Sequence, residues 1–252
     1  MKYSCHYSNK NSSILEFEEV IINYDFENIE IIQYLEEHKQ QRTILLIRDI
    51  QSFIDKQFYT LLNAIKLKGI NYNFAVLFYD IGRFEPINSN LIEAARNLEV
   101  DYFFGKVAST FDQLNYLISL GVSDVYITEE LGFYCKEVAD ICHQANISVR
   151  AFPNVGQSSA PNTPALKKFF IRPEDVHSYE KYIDVLEFWG PDSRSGIYLK
   201  IYQRGVWFGN LDQLILDLGE EIDSKRILPI FGQQRANCHR KCAQGKKCTI
   251  CN

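Results

Sequence analysis

The feature that most constrains this chain is a cadence. From Glu19 to Trp189 one unit recurs: a short β-branched or aromatic run, a polar turn, then a stretch with apolar residues three and four apart. Strand followed by helix, repeated, leads to a parallel sheet with helical crossovers. The strand candidates are Val20–Asn23, Thr43–Ile47, Phe74–Phe78, Tyr102–Phe104, Asp124–Ile127, Ile147–Arg150, Phe169–Ile171 and Asp184–Glu187. The stretches between them include helices expected over Asn28–Glu37, Lys56–Leu67, Ser89–Leu98, Thr110–Leu120 and Glu129–Gln144. Eight such units close into a (β/α)8 TIM-type barrel. An open doubly wound sheet uses the same alternation, but no glycine-rich phosphate loop follows the first strand, and the even cadence favours closure.

A chain of 252 residues with 46% hydrophobic and 23% charged residues fits one large α/β domain plus a tail. Met1–Lys10 holds no apolar signal core, and no run of eighteen apolar residues occurs, so no membrane association is expected. Seven cysteines cannot all pair, and Cys135 and Cys142 fall on one predicted amphipathic helix as small core residues. These points imply a reducing, cytoplasmic location. Charge divides the chain. The last acidic residue is Asp223, and beyond it come Lys225, Arg226, Arg235, Arg240, Lys241, Lys246 and Lys247. The net charge of −5 therefore splits into −12 over a barrel domain, 1–223, and +7 over a basic tail, 224–252.

That tail carries four of the seven cysteines, as Cys238-x3-Cys242 and Cys248-x2-Cys251 with Gly245 between the pairs. Thiolates are soft, charged ligands, and four on a turn-rich segment satisfy a [4Fe–4S] cluster or a tetrahedral zinc. His239, inside the first pair, could replace one thiolate. The basic neighbours would neutralise such an anionic site, or bind the phosphates of RNA or of an anionic small molecule.

In a barrel, ligands bind where strands end. The residues just past the apolar runs form a polar ring: Asn23 and Asp25, Arg48 and Asp49, Tyr79 and Asp80, Lys106, Thr128 and Glu129, Asn154, Arg172, Glu174 and Asp175, and Glu187. From these, Arg172 is the expected anchor for an anionic group, with Glu187 and Asp80 as acid/base candidates. Arg48, Lys106 and Asn154 are candidate substrate-binding residues. Asp49, Asp80, Glu129 and Asp175 also stand where helix caps belong, and Arg172 could instead pair internally with Glu187. The five histidines show no metal-binding or catalytic spacing, and no GxSxG elbow or Walker loop occurs.

Three stretches carry a resemblance: Ala108-Ser-Thr-Phe-Asp-Gln-Leu114, Leu120-Gly-Val-Ser-Asp-Val-Tyr-Ile127 and Ile147-Ser-Val-Arg-Ala-Phe-Pro-Asn154. Together they resemble the peptidase U32 (collagenase-like) family over about a fifth of the chain. The resemblance implies a TIM barrel that holds an iron–sulfur cluster on four cysteines and acts in oxygen-independent hydroxylation of RNA bases or ubiquinone precursors. Cys238, Cys242, Cys248 and Cys251 would be the ligands here. The expected function is then redox or hydroxylation-type modification of RNA or a small anionic substrate. The alternative is a non-catalytic barrel whose structural zinc knuckle binds nucleic acid or a protein partner. Classical protease activity has no nucleophile signature behind it.

Overall fold

Short runs buried from end to end mark strands covered on both faces, and Arg42–Ile47 is such a run, with all six residues buried. In the computed structural model the described residues are 1–6, 16–23, 28–38, 41–48, 56–67, 74–78, 86–97, 100–127, 129–156, 166, 168–189, 192–227, 229–236 and 238. Their strands are β1 (Lys2–His6), β2 (Glu19–Asn23), β3 (Arg42–Ile47), β4 (Phe74–Phe78), β5 (Asp101–Phe104), β6 (Val107–Ala108), β7 (Asp124–Ile127), β8 (Ser148–Ala151) and β9 (Val185–Glu187). Every pairing is parallel, in the order β5-β4-β3-β2-β1-β9-β8-β7-β6.

The two ends of this sheet are consecutive in the chain. Only Gly105 and Lys106 separate β5 from β6. The Gly105 N–H still donates to the Phe78 carbonyl at 2.8 Å, while Ser123, just before β7, donates to the Tyr102 carbonyl at 2.9 Å. One broken strand thus faces β4 with its first half and β7 with its second. The sheet curls until its ends meet, as in a TIM barrel.

The helices are α1 (Asn28–Glu37), α2 (Lys56–Leu67), α3 (Ser89–Arg96), α4 (Phe111–Ser119), α5 (Glu129–Gly132), α6 (Cys135–Gln144), α7 (Val176–Tyr179), α8 (Asp192–Arg204) and α9 (Phe231–Ala236). None of the described helices is long and apolar enough to cross a membrane. Local chemistry sets their ends. Thr110 accepts from the Gln113 N–H at 3.3 Å while the Gln113 side chain reaches back to the Ser109 N–H at 2.8 Å, a variant of the capping box. Gly121, at φ +80°, reverses the chain after α4 and sends it into β7. Cys135 and Cys142 are buried and free, as expected of core residues; burial raises both thiols, Cys142 to about 12.

Two expectations need correction. Phe169–Ile171 is not a sheet strand: β8 and β9 pair directly, Arg150 with Val185, and Ile171 donates its N–H to Pro153 at 3.0 Å. Its three side chains are fully buried outside the sheet, a pattern that composition alone cannot tell from a strand. Two sheet strands are missing from the expected set: β6, the short second half of the broken strand, and β1, at the polar N-terminus, which closes the sheet between β2 and β9.

Candidate active site at the strand ends

Side chains alternate across a strand, so register fixes which of them share the inside of the curl. Ser4 pairs with Glu19 and with Glu187, Glu19 with Arg42, and Tyr126 with Arg150, placing these residues on one face. The hydrogen bonds agree. Arg42 of β3 reaches across to Asp124 of β7 with two bonds, 3.0 and 2.8 Å, and to Glu19 at 3.1 Å. Arg150 of β8 donates to Asp124 at 3.0 Å, to Glu187 at 3.0 Å and to Glu19. Its guanidinium lies over both the Phe103 and Tyr126 rings, 5.1 and 5.4 Å from their centroids.

Three carboxylates and two guanidiniums therefore share one water-poor interior. Burial alone would push Asp124 up, but hydrogen bonds from Arg42 and the charge of Arg150 prevail and bring it to about 2. Burial opposes ionisation of Glu187 too. There the His6 hydrogen bond and the Arg150 charge win, and the carboxyl lies below its usual range. Buried pairs of this kind stabilise little against an apolar isostere, yet removing one partner costs roughly 3–5 kcal/mol.

Above this layer, at the ends of β1, β7 and β9, lies a second group. His6 Nε2 stands 3.2 Å from Glu187 Oε1, and Tyr126 donates to Glu187 Oε2 at 2.7 Å. Glu187 is 1% exposed, His6 partly exposed. The Trp189 ring meets both His6 and Phe152 edge-on at 5.7 Å, and Phe152 stacks on Tyr126 at 5.1 Å. Asn23, the last residue of β2 and inward by register, holds a buried Oδ1 that has no hydrogen-bond partner among the described residues. An imidazole braced by a buried, ionised carboxylate can take up and return a proton. An unmet amide oxygen at the end of β2 suits a polar substrate group.

The expected site residues fall unevenly on this arrangement. Glu187 stands at its centre. Asn154 is fully buried and clamps the chain after β9, its amide bonded to both the N–H and the carbonyl of Trp189. Lys106 is buried at the β5–β6 break, and Arg48 is exposed just beyond β3. Arg172 pairs with Asp175 at 2.6 and 2.7 Å and lies 5.2 Å from the Phe231 ring centroid, not on Glu187. Asp175 in turn accepts from the Gly232 N–H at 3.1 Å; it stands at the N-cap of α7, as expected, but makes no side-chain cap bond there. Asp80 lies outside the described residues. His6 was not expected, because its strand was missed; the alternation Tyr3-Ser4-Cys5-His6 was the available signal. Arg150 was hidden by its place inside a short apolar run.

The root of the cysteine tail is also placed. Arg235 of α9 is buried, bonds to the Lys168 carbonyl and lies 5.2, 4.6 and 4.9 Å from the Phe133, Phe170 and Phe231 ring centroids. Phe133 follows the end of β7, and Phe170 adjoins Ile171, which is bonded just past β8. Arg235, near the end of α9, therefore sits on the side where the strands end. Cys238 is buried there at 4% exposure, which gives one candidate ligand a fixed position. Cys242, Cys248 and Cys251 lie outside the described residues, among which no group of three His, Cys, Asp or Glu is placed to hold a metal.

No protein-family model and no curated protein matches the chain. Among solved structures it is similar to a mutant tryptophan synthase α-subunit from Pyrococcus furiosus, at 12% identity over 79% of this chain and 90% of that one, TM-score 0.43. It is similar to a U32 peptidase at 10% identity over 76% and 93%, TM-score 0.42. An aldo-keto reductase complexed with NADPH gives 12% over 93% and 94%, TM-score 0.44. Likeness of this degree is a weak structural resemblance and carries no activity with it.

Proposed function

We propose that this chain is a barrel enzyme that moves a proton at the strand ends, on RNA or a small anionic substrate, and carries a metal centre on Cys238, Cys242, Cys248 and Cys251. The observation that carries the reading is His6 Nε2 at 3.2 Å from a buried Glu187 whose ionised form is favoured. With Nε2–H given to Glu187, Nδ1 holds the lone pair. It accepts a proton from the substrate, the imidazolium is held by Glu187, and the proton then returns to product. Tyr126 and Arg150 keep Glu187 ionised, while Trp189 and Phe152 form an apolar wall beside the reacting group. Asn23 Oδ1 supplies an acceptor, and Lys106 and Arg48 are the cations closest in sequence to the β3 and β5 ends. A bound [4Fe–4S] cluster would supply one-electron chemistry; zinc in its place would be structural.

The test uses anaerobically purified full-length protein, incubated separately with small RNA and with an anionic metabolite extract and followed by untargeted mass spectrometry. The expected outcome is a product formed by wild type and lost in both His6→Asn and Glu187→Gln. Equal product from either variant overturns the reading. The other reading, nucleic-acid binding by the basic tail, is weakened because buried Arg235 is withdrawn from any phosphate-facing surface.

A further inference from the structure

Glu187 has two oxygens with different neighbours, and the difference suggests a role for residues that never touch a substrate. Oε2 takes the Tyr126 hydroxyl at 2.7 Å and Arg150 Nη2 at 3.0 Å; Oε1 takes His6 Nε2 at 3.2 Å. Arg150 is itself fixed from three further sides, by Glu19, by Asp124 and, at 3.4 Å, by Ser4 Oγ. Asp124 is held by Arg42 from across the sheet. The chain of contacts thus runs from the rigid interior to one carboxylate oxygen and stops there.

Resting on the reading above, we infer that Tyr126 and Arg150 are positioning residues that lock Oε2, leaving Oε1 alone to hold the His6 Nε2–H. With Oε2 released, the carboxylate could rotate and share its oxygens, and His6 would no longer be kept with Nδ1 facing outward. Packing does not require this arrangement. The Tyr126 ring already stacks on Phe152 and lies beside Phe103 at 5.9 Å, so its hydroxyl is free to serve Glu187.

The test is nitrogen-15 NMR of the full chain labelled at histidine, whose five signals are few enough to assign with His6→Asn. In wild type the Nε2–H of His6 gives a direct cross-peak, its exchange with water slowed by Glu187. Tyr126→Phe keeps the stacked ring and removes only the hydroxyl. It should speed that exchange by about tenfold, the size expected for one hydrogen bond to a charged group. Arg150→Lys, which keeps one charge, should retain part of the protection if it folds. The inference is overturned if Tyr126→Phe leaves the exchange at the wild-type rate while Glu187→Gln abolishes the protection. If Glu187→Gln itself changes nothing, the His6–Glu187 pair fails as well.

Discussion

Replacing Arg150 with Met removes the guanidinium that joins three buried carboxylates. Arg42 still serves Glu19 and Asp124, and Tyr126 and His6 still serve Glu187, so the loss is partial. Breaking a buried pair costs roughly 3–5 kcal/mol, and about 4 kcal/mol in a domain of this size lowers Tm by about 8–16 °C at pH 7. The pH dependence is the sharper signature. Asp124 lies at about 2 in the fold against an ordinary 3.8, so it contributes roughly 2–3 kcal/mol above pH 3.8, lost as pH falls toward 2. Glu187 is depressed and has the same sign. Without Arg150 both carboxyls rise toward or past their unfolded values, so acid no longer destabilises the variant through them. The gap in Tm between wild type and Arg150→Met should therefore be full from pH 7 down to about pH 4 and narrow as pH falls from there toward 2. Circular-dichroism melts at four pH values measure it. A constant gap, or one under about 1 kcal/mol at pH 7, would refute the assignment of Arg150 as the common counter-charge.

Gly232→Ala should loosen α9, because an added Cβ would stand 2.4 Å from Asp175 Cβ; about 1–3 kcal/mol of stability should go, with faster amide exchange over 231–236. Stripping any metal with chelator should leave those amides protected, since Arg235, Arg172 and Phe231 hold α9 through residues that are not metal ligands; loss of protection would make the metal a staple. In native protein at pH 8, Cys5, Cys135 and Cys142 should resist a thiol reagent that labels them after unfolding, because all three are buried and the latter two thiols are raised. Labelling of any of them at the rate of a free thiol contradicts that burial.

The alternation of strand and helix was legible because burial on both faces leaves a continuous apolar run, and seven of the expected strands correspond to sheet strands. The N-terminal strand was not legible: Lys2–His6 is polar at alternate positions because its inward residues, Ser4 and His6, serve a buried charge network. Asp124 and Arg150 fall within expected strands and Glu19 just before one, but nothing in their spacing shows that they meet as one buried charge network. Glu187 could be singled out by its place at a strand end, but its partners come from positions 6, 126 and 150, and only the curl of the sheet brings them together. Arg172 looked like a mouth residue because Pro173 follows it; its carboxylate partner lies three residues on and belongs to the docking of α9.

The central claim is that the strand ends around His6 form the working site. A crystal structure of the full chain with the substrate found by mass spectrometry tests it most directly. Density is expected beside Trp189 with a polar atom within about 3.2 Å of His6 Nδ1. Density at the opposite ends of the strands, or only among the tail residues beyond Cys238, would contradict it.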